Sequence, residues 1–169
     1  MSDIQPEALE TLRGIQERLA AFPRMHGKYR LDLTSVAAWR RAGLSEEEIL
    51  DRLFNLWGEH EALSADLEKF PPAASQEHVA SGWVECTTNP SDTREFLHQS
   101  LIGGGSVGHT VETVPAHIAK EIVADFFGLF EQPTAYSGLG WSDPGYVFEN
   151  GVVILDGKMA GMFLVVEND

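Results

Sequence analysis

A chain of 169 residues is long enough to bury one hydrophobic core, and its single cysteine excludes both an intramolecular disulfide and a cysteine-based zinc site. Its 26 carboxylates outnumber 12 basic side chains, and the net charge of −14 argues against nucleic acid and anionic membrane surfaces as partners. No apolar run approaches the ~20 residues of a membrane span, and the first residues lack the pattern of a secretory signal, so we expect a cytoplasmic protein.

The first segment has the pattern of an amphipathic helix. Apolar residues recur at three- and four-residue spacing over residues 6–22, with Pro6 allowed in the first turn and Pro23 ending the run. Residues 24–33 show weak periodicity and are interpreted as a loop with a short extended piece. The pattern therefore predicts one helix followed by a connection.

Two further helices are predicted before residue 70. Thr34 is a candidate N-cap for a short helix that Gly43 ends. Ser45 followed by Glu48 has the spacing of a capping box, and the apolar stripe behind it predicts a helix that extends toward Phe70. Residues 1–70 are thus predicted to form the helical part of a single domain.

Residues 71–78 contain two prolines in succession and are predicted to act as a hinge-like linker between the helical part and an α+β part over residues 79–169. A strand is predicted within 79–88, one or two helical turns within 92–101, and a second strand within 107–114. Apolar residues on one face predict a helix over 115–130.

The C-terminal segment is predicted to form a three-stranded antiparallel meander. Asn150-Gly151 and Asp156-Gly157 are dipeptides that favour tight hairpins, and they separate apolar strands at 146–148, 152–155 and 162–166. The nearly unbroken apolar middle strand indicates burial on both faces, with the helix at 115–130 against one of them. The predicted fold class is α+β, a helical layer followed by a mainly antiparallel sheet that ends in this meander.

The glycine-rich segment at residues 101–109 is a candidate ligand loop. Over these nine residues it resembles the loop with which macrodomains bind ADP-ribose, although Gly108 stands where that family has an acidic residue. Consecutive glycines let backbone amides approach a phosphate. A nucleotide or small-ligand site is therefore one alternative, with these candidate ligand-binding residues: Gly103, Gly104, Gly105 and His109.

No pattern in the chain indicates a catalytic centre, a bound metal or a cofactor. His98 and His109 fall near His117, which with Glu121 and Asp125 recurs every fourth residue of a predicted helix. Those three positions also form the face opposite the apolar stripe, so a solvated face is the preferred interpretation. Cys86, Ser100 and Ser106 lack the surroundings of a known nucleophile.

A helix-turn-helix outline over residues 34–57 does not favour DNA binding. Its second helix begins Glu46-Glu47-Glu48, which would place three carboxylates against the phosphates. Packing is the better explanation of the outline.

The acidic C-terminal half is the predicted interaction surface. From Glu95 onward the sequence contains ten carboxylates and only two basic residues, Lys120 and Lys158. Trp141 lies in a predicted loop of turn-forming residues. Complementary charge accelerates association with a basic partner, and aromatic residues anchor interfaces. The candidate partner-binding residues are Trp141, Asp143, Tyr136, Glu149, Asp156 and Glu112.

In type, though in no alignable motif, the chain resembles the small acidic immunity proteins with which bacteria neutralise toxins. The resemblance implies a binding protein that neutralises a basic partner and is not an enzyme. The alternatives are the ligand-binding enzyme domain already described and a self-assembling structural or phage-type accessory protein, and a homodimer stays open.

Overall fold

The computed structural model of the chain describes residues 3–24, 27–62, 87–88, 90–103, 113–138 and 148–167. The elements in these residues follow the order α1 (Pro6–Ala20), β1 (Gly27–Ser35), α2 (Ala37–Arg41), α3 (Glu46–Ala62), β2 (Thr87–Thr88), α4 (Pro90–Ile102), α5 (Ala116–Phe127), β3 (Thr134–Gly138), β4 (Phe148–Leu155) and β5 (Met159–Glu167). In the part of the chain that the structure describes, no helix is long and apolar enough to cross a membrane.

The strands form one antiparallel sheet in the order β1-β5-β4-β3-β2. Strands β3, β4 and β5 are consecutive in the chain and adjacent in the sheet, which is the connectivity of a meander. The α+β class and the C-terminal meander are therefore confirmed. The N-terminal part supplies the edge strand β1, which pairs with β5 from Gly27 opposite Glu167 to Ser35 opposite Met159.

Helices cover both faces of the sheet. One face packs on α1, α4 and α5, with a core that includes Leu12, Ile15, Leu97, Leu101, Ile122, Phe126, Val152, Ile154 and Phe163. The other face packs on α3, with a core that includes Ile49, Leu53, Trp57, Val153, Leu155, Met162 and Leu164. The predicted burial of the middle strand on both faces is confirmed, because successive side chains of β4 enter opposite cores.

Helix α1 follows from its apolar spacing. Pro6 occupies the first turn, where its missing N–H is not needed, and Leu12, Ile15 and Leu19 are buried. Leu9, which shares the spacing, stays 39% exposed. The helix ends at Ala20, before Pro23.

Residues 24–33, predicted to be mainly a loop, instead lead into the nine-residue strand β1. Tyr29, Leu31 and Leu33 alternate toward the α1 side of the sheet. Charged Arg30 and Asp32 fall between them, which weakens the apolar pattern without breaking the period of two. The prediction was wrong here because an edge strand tolerates charge on one face.

Thr34 belongs to β1 and is not an N-cap. Its Oγ1 accepts a hydrogen bond of 3.2 Å from the indole of Trp57, so it fastens α3 to the edge strand. The short helix begins later, at Ala37, and Gly43 with φ of 81° follows its end as predicted.

Two other boundaries differ from prediction. The one or two helical turns expected within 92–101 form the 13-residue helix α4. Asn150-Gly151 lies inside β4, where Asn150 pairs with Val165, and so makes no hairpin; the first strand of the meander is Thr134–Gly138 instead. Cross-strand pairing on both sides of β4 overrides the local turn preference.

The other predicted hairpin, at Asp156-Gly157, joins β4 to β5 as expected. The backbone N–H of Asp156 donates to the carbonyl of Met159 at 3.0 Å. The helix expected over 115–130 spans Ala116–Phe127, with Pro115 as its N-cap.

Several predictions fall on residues outside the described ranges. These are the linker 71–78, most of the strand within 79–88, and most of the strand within 107–114. Thr113 and Val114 are described and are not in a strand; their N–H groups donate to the carbonyls of Ile102 and Leu101 at the end of α4.

Candidate functional site

The start of α3 carries a dense group of carboxylates. Glu46, Glu47 and Glu48 occupy the first helical turn, and Asp51 follows one turn later. We call these four residues the acidic cluster. Carboxylates are favoured at a helix N-terminus because the unpaired N–H groups there carry partial positive charge.

The predicted capping box fixes Glu48. The Ser45 N–H donates to Glu48 Oε2 at 2.7 Å, and the Glu48 N–H donates to Ser45 Oγ at 3.2 Å. The hydrogen bond from the Ser45 backbone, and then that from its side chain, lower the pKa of Glu48 below its ordinary value. Glu48 is therefore held as a carboxylate in a defined position.

Glu46 joins the helix start to the sheet. Its Oε1 lies 3.7 Å from a guanidinium nitrogen of Arg40, and the same Arg40 nitrogen donates to the carbonyl of Asp156 at 3.2 Å. Burial, followed by a hydrogen bond to Glu46, raises the pKa of Tyr136 above its ordinary value. The neutral phenol of Tyr136 thus donates to a carboxylate at the base of the acidic cluster.

Asp51 is the strained member of the cluster. Partial burial, and then the charges of Glu47 and Glu48, raise its carboxyl pKa. Its Oδ1 is buried and accepts no hydrogen bond from the residues that the structure describes. A buried acceptor without a donor is unfavourable, so a cation arriving at this carboxylate would relieve both effects.

An aromatic side chain stands beside the cluster. Trp39 is half-buried against the α3-side core, and the guanidinium of Arg52 lies 5.8 Å from the centre of its ring. The α2–α3 corner therefore presents an indole and a row of carboxylates together. That combination is the one that interface anchors and their charged rims use.

The basic side chains of the described residues are largely engaged within the fold. Four guanidinium groups donate to backbone carbonyls: Arg18 to Gly14, Arg24 to Ser100, Arg30 to Trp57 and Arg40 to Asp156. Three lie over aromatic rings: Arg24 over Tyr29, Arg52 over Trp39 and Arg94 over Phe127. Arg40 also lies 3.7 Å from Glu46, so part of the acidic cluster has a counter-charge within the fold.

The ion pairs among described side chains are few and exposed. Arg18 meets Asp125 at 2.6 Å, Arg40 meets Glu46 at 3.7 Å, and Lys158 meets Glu131 at 3.8 Å. Exposed pairs of this kind contribute about 0–1 kcal/mol each. These three pairs therefore add little to the stability of the fold.

Asp156, a candidate partner-binding residue, is buried and serves the hairpin. Its Oδ1 accepts from the backbone N–H of Lys158 and of Met159, each at 2.8 Å, and its Oδ2 accepts from the N–H of Glu131 at 3.0 Å. Both carboxylate oxygens thus tie the β4–β5 turn to the loop after α5. Tyr136 is also buried, and its link to Glu46 is what connects the predicted residues to the acidic cluster.

The remaining candidates are placed only in part. Glu149 lies in β4, opposite Val166, and its side chain is outside the described set. Trp141, Asp143 and Glu112 lie outside the described residues, as do the loop residues Gly104, Gly105 and His109. Gly103 is described, with φ of 135°, at the end of α4.

The histidines and carboxylates of α4 and α5 are of the residue types that ligate metals. Within the described ranges no group of three or more histidine, cysteine or acidic residues is arranged to hold a metal ion. His117, Glu121 and Asp125 are exposed on α5, as a solvated face requires. His98 Nε2 lies 3.2 Å from the carbonyl of Ala116, between α4 and α5.

The sequence pattern does not predict the acidic cluster as a binding site, because its glutamates were considered only as an argument against DNA binding. Its signal was present in Glu46-Glu47-Glu48 followed by Asp51. No family model, curated protein or solved structure matches the chain. Function is therefore inferred from the charges and contacts described above.

Proposed function

We propose that the chain is an acidic binding protein that captures and neutralises a basic protein partner, in the manner of an immunity protein against a toxin. The observation that supports this most is the acidic cluster itself, in which four carboxylates lie together at the start of α3 while several guanidinium groups also contact carbonyls and rings. A surface of this kind attracts cations over the Debye length, about 8–10 Å at physiological salt.

The acidic cluster is the proposed docking point among the described residues. Two of its glutamates are held in place, Glu48 by the Ser45 capping box and Glu46 by Arg40, so these two side chains lose little entropy on binding. A lysine or arginine of the partner would pair with Asp51 and with Glu47. The Trp39 ring beside them would supply the apolar anchor.

Neutralisation needs no chemistry from this chain. Many enzymes that act on nucleic acids bind phosphates through basic clefts, and an acidic surface seated in such a cleft excludes the substrate. Trp141 and Asp143 are proposed as additional contacts on the sequence pattern alone.

The test is capture on the immobilised full chain from the source cytosol, at low and at high salt. We expect a basic protein to be retained at low salt and released by salt. Glu47→Lys should reduce retention, whereas Glu10→Lys on α1 is the matched control, since it makes the same charge change at another exposed helical glutamate. If neither substitution changes the amount of protein retained, or if only acidic proteins are recovered, the proposal is contradicted.

A further inference from the structure

A cleft lies between the last turns of α1 and the first half of β1. Its volume is about 270 Å³. The walls are mostly apolar and include Leu19, Ala20, Pro23 and Leu31, with the ring of Tyr29. Such a space accommodates a small ligand with a hydrophobic body.

The floor of the cleft is fixed by contacts within the fold. The Tyr29 hydroxyl donates to the carbonyl of Phe22 at 2.8 Å, and the Arg24 guanidinium lies 5.4 Å from the centre of the Tyr29 ring. Arg24 is only 6% exposed and donates to the carbonyl of Ser100 in α4. The cleft is therefore largely pre-formed, which limits the entropy lost on binding.

The chain around the cleft is richer in basic side chains than the rest of the protein. Residues 13–30 hold five of the 12 and a single carboxylate, Glu17, although Arg18 pairs with Asp125 and Arg30 donates to Trp57 in α3. Two of those cations, Arg24 and Lys28, line the cleft, and Lys28 is exposed at its rim. A local positive potential over apolar walls complements a ligand with an anionic head and an apolar tail.

We infer that the cleft binds a small amphipathic carboxylate, with the head toward Lys28 and Arg24 and the tail against Leu19, Pro23 and Leu31. A free phosphate would match the charge but leave the apolar walls wetted. A neutral apolar molecule would match the walls and gain nothing from the two cations. This site is separate from the acidic cluster and independent of the proposed partner.

Calorimetric titration of the full chain with sodium octanoate, and with neutral octanamide as the comparison, tests the inference. Octanoate should bind saturably and more tightly than octanamide or inorganic phosphate. Lys28→Gln should weaken octanoate about two- to fivefold, as expected for one exposed charge contact, whereas Lys120→Gln on α5 should change nothing. Ala20→Phe fills the rim from an exposed helical position and should abolish binding while the melting temperature is kept.

Amide chemical shifts of Tyr29 and Leu31 should move with the same saturation curve, which places the ligand in the cleft. Equal affinities for octanoate and octanamide would overturn the role of the cations. Undiminished binding to folded Ala20→Phe, or the absence of any saturable octanoate binding, would overturn the site itself.

Discussion

Asp51 shows how a single carboxylate can be costly to the fold and useful to binding. Burial and the neighbouring glutamates raise its pKa, so the unfolded chain releases this proton at a lower pH than the folded chain does. As pH rises above the ordinary value of 3.8, ionisation favours the unfolded state until the folded carboxyl also ionises. At neutral pH the fold therefore carries a penalty at this position.

Asp51→Asn should for that reason raise the free energy of unfolding at neutral pH and change it little below pH 3.8. Urea unfolding at the two conditions measures the difference. Glu10→Gln on α1 is the control, because it removes the same charge from an exposed helical side chain away from Asp51 and should change stability little. Equal stabilisation by Asp51→Asn at both conditions would mean that ionisation is not the cause.

The Ser45 capping box gives a prediction of opposite sign. Ser45→Ala should lower stability by about 1 kcal/mol, since it removes the side-chain acceptor at the helix start. Because the pKa of Glu48 is lowered in the folded chain, Glu48 stabilises the fold above its ordinary pKa of 4.5, and this stabilisation is lost as pH falls through the folded pKa. The loss of stability in acid should be smaller in Ser45→Ala. Chemical unfolding against pH measures it, and Ser45→Thr should restore both properties.

Asp156 illustrates a buried carboxylate that is satisfied. Asp156→Ala would leave three backbone N–H groups without their acceptor and should cost roughly 3 kcal/mol, while Asp156→Asn should cost less. Unfolding in guanidinium chloride measures which of the two variants loses more stability. A small, equal effect of both would show that the turn does not depend on the carboxylate.

At the scale of elements, α5 approaches β5 closely at one glycine. A Cβ on Gly161 would lie 2.5 Å from Cζ of Phe130 and 3.1 Å from Cζ of Phe126. Phe126 is itself locked edge-on to Phe130 and Phe163, with ring centres 5.8 and 5.3 Å apart. The aromatic cluster of α5 therefore requires a residue without a side chain at this point of the sheet.

Gly161→Ala should lower stability by about 1–3 kcal/mol, because the added methyl group would force the buried rings of Phe126 and Phe130 to shift. Gly157→Ala is the matched control, since a Cβ there meets nothing within 4 Å and the residue has no positive φ. Thermal unfolding of the two variants distinguishes them. Similar melting temperatures would contradict the packing described for α5.

Elements with a strong local signal could be predicted from the sequence, and those set by pairing could not. Helix α1 and the start of α3 carry their own stops and caps in Pro6, Pro23 and Ser45. Strand β1 depends on β5, more than a hundred residues away, and Asn150-Gly151 is held extended by neighbours on both sides. Long-range pairing of this kind leaves little trace in a local pattern.

The candidate site divides in the same way. Charge excess and the capping box are properties of the sequence, and they led to an acidic binder with a defined helix start. The group that each arginine contacts depends on the tertiary fold and cannot be predicted from the sequence, as the hydrogen bond from Arg24 to Ser100 in α4 shows. The burial of Asp156 likewise follows from the packing of the hairpin on the loop after α5.

The whole molecule combines a sheet covered on both faces with an uneven charge distribution. The apolar cores account for nearly all large hydrophobic side chains that the structure describes, and Leu9 is the exposed exception among them. On the described surface, four carboxylates lie together at the start of α3, and Arg24 and Lys28 line the cleft of α1 and β1. We propose that these are two recognition surfaces of opposite charge on one small domain.

If the acidic cluster steers a basic partner to the chain, the association rate must depend on the charge of that cluster. The most direct measurement is the association rate of the captured partner with the wild-type chain, Glu47→Lys and Glu10→Lys across a range of ionic strength. We expect the association rate of the wild-type chain to fall as salt is added. Glu47→Lys should associate more slowly and depend less on salt, whereas Glu10→Lys should behave almost like the wild type. Indistinguishable rates and salt dependences for all three chains would contradict it.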